Sequence, residues 1–267
     1  MKMKNRVISV MLSVVIILLN IIPSFATKSS MDTLLDYGIA QSFLESIPNV
    51  MVERIINQIG SDEEISNVYR KVMFLYDETD NVVQPYGMIS ESSLALDIEA
   101  IEICLKNTSI VSKVLIAISW DWAGVKPFQR WQDAMTVNWD SNLFVFSEDS
   151  FYSVDSGKVE EEDEWIAEFE YTRPSYREQG GLGFYSNLSA FYQRIAGAAT
   201  FLLIPRISMV SGTSKITEIN VNYVHDRSFL FPLNISFNTS GLQVCFDINR
   251  NSYDEAADTA NYRYSLG

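Results

Sequence analysis

The 267-residue chain has one histidine, His225, and two cysteines, Cys104 and Cys245. So few soft ligands argue against a metal centre built from imidazole and thiolate. Basic residues are scarce as well, 20 against 34 acidic, and the formal net charge is −14. Nucleic-acid binders neutralise phosphates with clustered Lys and Arg, so this balance argues against that class. There is no Gly-x-Ser-x-Gly nucleophile elbow. Gly180-Gly181-Leu182-Gly183 lacks the Gly-Lys-Ser/Thr continuation of a phosphate loop. His225 and Asp226 are adjacent in sequence, and on an extended strand neighbours face opposite sides, so they do not make a triad pair. The expectation for His225 is a structural role.

Long hydrophobic runs are also absent beyond the N-terminus, where residues 1–26 have the form of a secretory signal. Lys2, Lys4 and Arg6 precede an apolar stretch over 7–22, Pro23 breaks it, and Ser24-Phe25-Ala26 fits a small-x-small cleavage site. The stretch is short for a stable membrane span. Cleavage after Ala26 would remove three basic and no acidic residues and leave a net charge of −17. The expectation is a secreted, extracellular protein with no stable transmembrane anchoring after cleavage.

Residues 27–65 read as a helical segment. Asp32 can cap its start, Leu34, Leu35, Ile39, Phe43 and Leu44 recur at helical spacing, and Pro48 marks a break. Val52, Ile55, Ile56 and Ile59 continue the helical period up to Gly60. Residues 61–76 fit either a helix opened by a Ser61/Glu64 capping box or a strand, with the strand favoured by Val72.

From about residue 90 the period falls to two. Leu94, Leu96 and Ile98 alternate with polar residues, then Ile101, Ile103 and Leu105 do so one residue out of phase, which predicts a bulge near Glu99 and Ala100. Further faces comprise Val114, Ile116, Ile118, Trp120 and Trp122; Met135, Val137 and Trp139; and Trp165, Ala167, Phe169 and Tyr171. The uniformly apolar run 195–205 predicts a buried central strand. Strands are also expected over 182–188, 216–223 and 242–248, with a last one over 262–266. Many short alternating strands without a βαβ rhythm predict an all-β fold, mainly an antiparallel sandwich or jelly roll over 66–267, with a short helical segment before it.

Cys104 and Cys245 each fall out of phase with the apolar residues of their strands, which predicts outward-facing thiols. In an exported protein two such thiols either pair as a disulfide or remain free. Four tryptophans, Trp120, Trp122, Trp139 and Trp165, continue apolar faces and are expected in the core. Trp131 follows a loop-like stretch, and Tyr171 to Tyr176 form an aromatic bend around Pro174. Trp131, Tyr171 and Tyr176 are therefore the candidate ligand-binding residues. Asp247, Asn249, Asn251 and Asp258 occupy positions 1, 3, 5 and 12 of a calcium-type loop, but Ser252 replaces the turn glycine. Calcium is the one cofactor this pattern offers. Asp121, Asp133 and Asp140 flank the Trp-rich strands, as paired carboxylates of a sugar cleft would.

Together these features predict a secreted, non-enzymatic β-sandwich that binds an extracellular or cell-surface glycan or protein. The alternative is a secreted glycoside hydrolase using paired carboxylates.

Overall fold

The computed structural model describes residues 29–73, 94–122, 132–158, 165–187, 194–226, 235–237, 244–246 and 253–266. Within them the fold is antiparallel β with a helical start. Three helices come first, α1 (Ser30–Asp36), α2 (Gln41–Glu45) and α3 (Asn49–Asn57). The N-cap of α1 is Ser29 rather than Asp32. The Ser29 side chain accepts from the Asp32 amide at 3.1 Å and donates to its carboxylate at 2.7 Å, so Asp32 holds the cap in place from the first turn. No helix among the described residues is long and apolar enough to cross a membrane.

The ambiguous stretch after Gly60 is extended. The Gly60 amide donates to the Glu63 carboxylate at 2.7 Å, and β1 (Glu63–Met73) starts there. Next come β2 (Ala95–Leu105), β3 (Val111–Trp122), β4 (Gln132–Asn138), β5 (Phe144–Phe146), β6 (Tyr152–Lys158) and β7 (Ile166–Tyr171). They are followed by β8 (Tyr176–Glu178), β9 (Gly181–Asn187), β10 (Arg194–Pro205), β11 (Met209–Asp226), β12 (Ile235–Phe237), β13 (Val244–Phe246) and β14 (Tyr253–Leu266). One sheet has the order β1-β2-β3-β10-β6-β7, with β5 also on β10; the second has the order β14-β11-β4-β9-β8; β12 and β13 pair with each other.

The two sheets share one core. Ile98, Ile116, Trp120 and Phe201 of the first meet Val137, Phe184, Val221 and Tyr223 of the second. The outer face of the first sheet is covered too. Leu34, Phe43, Leu44, Met51 and Ile55 of the helices bury Ile101, Ile103, Leu115, Ala198 and Leu202. Helices, first sheet and second sheet are thus three layers, and β10, sandwiched in the middle, needs the uniformly apolar sequence it has.

Double burial also explains β2, where the predicted bulge is absent. Its register runs unbroken against β1 and β3 through Glu99 and Ala100. Leu96, Ile98, Ala100 and Cys104 face the second sheet, while Ile101 and Ile103 face the helices. The two apolar phases are two buried faces of one regular strand. Register slips fall elsewhere: Ser66 of β1 and Ser112 of β3 are unmatched opposite β2, and in β7 Phe169 and Ala167 oppose Asp155 and Ser156 and leave Glu168 unmatched. Ala167 consequently packs with the helical layer and Tyr171 with the inter-sheet core, rather than sharing one face.

Acidic side chains pin the helical layer. Glu99, fully buried, accepts from the Ala40 amide at 3.3 Å. Arg70 bonds to Asp97, lies 3.6 Å from Glu99, and donates to Ser42 at 2.8 Å. Burial and the neighbouring Asp97 charge push the Glu99 carboxyl up to about 8, and its second oxygen has no hydrogen-bond partner.

Candidate functional site

The sandwich has two lateral margins, and they are built differently. At the β1/β14 margin, Tyr69 and Tyr262 meet edge to face at 5.3 Å. Inside them Glu102 is wholly buried. Its oxygens accept from the Tyr262 hydroxyl at 2.7 Å, the Asn67 amide at 2.7 Å and the Ser211 hydroxyl at 3.0 Å. A carboxylate held by three donors closes this margin from both sheets.

The opposite margin, where β7 and β8 end their sheets, is more open. Ile166 and Phe169 are 37% and 41% exposed. Tyr171 and Tyr176 border it, both half-buried. The floor is polar. Asp155, opposite Phe169, accepts from the Ser186 hydroxyl at 2.6 Å and the Asn187 amide at 2.8 Å. Burial outweighs these bonds and, with the negative charge of Asp133, pushes the Asp155 carboxyl up to about 7. Asn187 also donates through its side chain to the Tyr171 hydroxyl, whose titration burial raises. Tyr176 stands edge to face with Tyr185 at 6.1 Å.

Next to this floor is a second buried network. Asp133 accepts from the Tyr223 hydroxyl and lies 2.8 Å from His225 Nδ1, while Trp122 Nε1 donates to Tyr223 at 3.1 Å. His225 is buried, with Asp133 rather than Asp226 beside it. Burial, followed by the Asp133 charge, raises the Tyr223 phenol far above its ordinary value.

On the helical side of the first sheet, Arg194 is bonded to Asp121 and lies 5.3 Å over the Trp165 ring, which Lys158 approaches at 4.7 Å. Trp165 Nε1 donates to the Glu45 carbonyl at 2.9 Å. Trp120, Trp122 and Trp139 are core residues, but Trp165 is a half-buried clamp between two cations and a helix end.

The other sequence candidates are dispersed. Trp131, Asp247, Asn249 and Asn251 lie outside the described residues. Asp258 is in β14, opposite Val221. Among the described residues no three carboxylate, His or Cys side chains are grouped to hold a metal ion. Asp121 lies on the helical side of the first sheet, bonded to Arg194, Asp133 lies on β4 of the second sheet, bonded to Tyr223, and Asp140 caps a turn by accepting from the Asn142 amide at 2.9 Å. These three acids do not converge. Cys104 is a free, buried thiol contacting Ser66 at 3.2 Å, so its expected outward orientation is corrected: with both faces of β2 covered, leaving phase with the leucines does not mean facing solvent. Cys245 stands on β13 opposite Ser236, with its side chain outside the described residues.

Asp155, Ser186 and Asn187 escaped the sequence reading, because polar residues alternating with apolar ones resemble a solvated strand face. An open depression of about 310 Å³ near β8 is lined by Arg177 and Arg206, but Arg177 pairs with Glu148 at 2.6 Å and Arg206 Nε donates to the Phe144 carbonyl at 3.3 Å.

No protein-family model matches the chain, and no curated protein does. A solved structure titled "BspA_C_WT" is similar over 64% of this chain and 59% of its own length, at 7% identity and a TM-score of 0.31. This chain thus spans less than two thirds of that structure, and likeness at this level carries neither fold nor function across.

Proposed function

We propose that the chain is an exported, non-catalytic binding module that takes an extracellular glycan or protein along its β7–β8 margin. One observation carries this reading: Ile166 and Phe169 are exposed there, beside Tyr171 and over a buried polar floor, while between β1 and β14 the buried Glu102 is bonded to Tyr262. Exposed apolar side chains rimmed by polar groups favour recognition. The signal-like residues 1–26 support export.

The hydrolase alternative has less support. Both Asp155 oxygens accept protein hydrogen bonds, and Asp121 is bonded to Arg194. A retaining or inverting pair needs two carboxyl groups facing one substrate space.

The test is to probe the purified exported chain on glycan and peptide arrays, with Phe169→Ala alongside. A hit lost in Phe169→Ala, at unchanged thermal stability, supports the reading. Hits that ignore Phe169 would move the site elsewhere, and slow cleavage of a bound glycan would revive the hydrolase.

A further inference from the structure

Resting on that reading, we infer that the ligand is an extended basic polypeptide that adds to β7 as a further strand. Strand β7 is the last of its sheet: its six residues pair with β6 on one side, and among the described residues nothing pairs with the other. An unpaired edge offers backbone donors and acceptors to any extended chain. Competing side chains do not bury this one, since Ile166, Glu168, Phe169 and Glu170 are all exposed.

The side chains specify the partner. Glu168 and Glu170 are acidic, and neither is in an ion pair among the described residues. The nearby cations are committed, Arg194 to Asp121 and Lys158 to the Trp165 ring. On a chain of net charge −14, these glutamates repel a second copy of the same edge. The slip at Glu168 also bends the edge away from flat self-pairing. Lys or Arg on an incoming strand reverses the sign of the same interaction. Phe169 and Tyr171 lie towards the inter-sheet side, and Glu170 pairs across the sheet with Val154 of the helical side. The fitting strand therefore alternates, with apolar residues beside Phe169 and Tyr171 and basic ones beside the glutamates.

The experiment titrates the exported chain with three fluorescent ten-residue peptides at physiological salt. The first alternates Lys and Val, the second Glu and Val, and the third is the Lys-Val peptide N-methylated at every internal residue. The expected result is saturable binding of the first alone, with slowed amide exchange confined to 166–171. In the E168K/E170K variant, checked for an unchanged thermal midpoint, the Lys-Val peptide should weaken by about tenfold or more, and the Glu-Val peptide should gain. Equal binding of the N-methylated peptide would overturn strand addition, since charge attraction and side-chain packing survive methylation and backbone pairing does not. No peptide binding together with a Phe169-dependent glycan hit would overturn the inference and leave the binding margin standing. Self-association through β7, or no ligand dependent on Phe169, would overturn both.

Discussion

Phe169 stands directly opposite Asp155 in the β6–β7 ladder, so an exposed ring and a buried acid share one face of the sheet margin. The neighbouring Ser186 and Asn187 donors hold the acid in place without offsetting its desolvation. The same pairing that presents an apolar group to a ligand places a proton-binding site beneath it.

Asp155 gives the first prediction. Its folded-state pKa of about 7 lies above its ordinary 3.8. The native state keeps a proton that the unfolded chain releases in that window, so stability falls as pH rises from 3.8 to about 7. Asp155→Asn should flatten that part of the profile. Urea midpoints for wild type and variant at several pH values check it; parallel profiles would contradict it.

The same sign applies to Glu99, whose window runs from 4.5 to about 8. Glu99→Gln retains an acceptor for the Ala40 amide and removes the charge. The variant should gain stability relative to wild type above pH 8, measured as a rise in thermal midpoint there, with the difference shrinking in acid.

Arg70→Met leaves Asp97 and Glu99 without their cation under the helices. A loss of about 2 kcal/mol or more is expected. Cleavage by a protease within residues 30–57 should accelerate before the sheets unfold.

Gly197 lies against the Trp120 ring, and a Cβ added there would stand 2.2 Å from Cζ2. Gly197→Ala should cost about 1–3 kcal/mol through overpacking. Combining it with Trp120→Phe should give less than the sum of the two losses, as a double-mutant cycle would show.

Cys104 is buried, and its burial is the largest cause of a raised thiol pKa. In a Cys245→Ser background it should be inert to thiol reagents in the native state and react fully in denaturant. Zero free thiols in denatured wild type would show instead that Cys104 and Cys245 are bridged.

Sequence periodicity was a good guide wherever one strand face met the core and the other met water. The inter-sheet tryptophans and the central run of β10 follow from alternation or spacing alone. It misled where a third layer intervened. Helices over the first sheet bury Glu99 as thoroughly as Ile101, so β2 carries two apolar phases and its phase change resembles a bulge. The slip at Glu168 leaves no signature because β7 is exposed and either register is tolerated. The open margin was half legible: Tyr171 signalled it through aromatic clustering, whereas Asp155, Ser186 and Asn187 are recognisable only from their meeting across two sheets. The last strand was expected over 262–266, but β14 begins at Tyr253, since the acidic, alanine-rich residues at its start lack β-propensity and depend on the long ladder with β11.

The placement of β10 sets an order of events during synthesis. This strand joins β3, β5 and β6, and its Ala198 and Leu202 complete the surface on which the three helices rest. The helices leave the ribosome first, yet their seat is finished only when residue 205 has followed. Until then their apolar faces stay available to chaperones, and the chain remains threadable. A topology that postpones its own closure in this way leaves the cooperative step to the last long-range pairings of the chain.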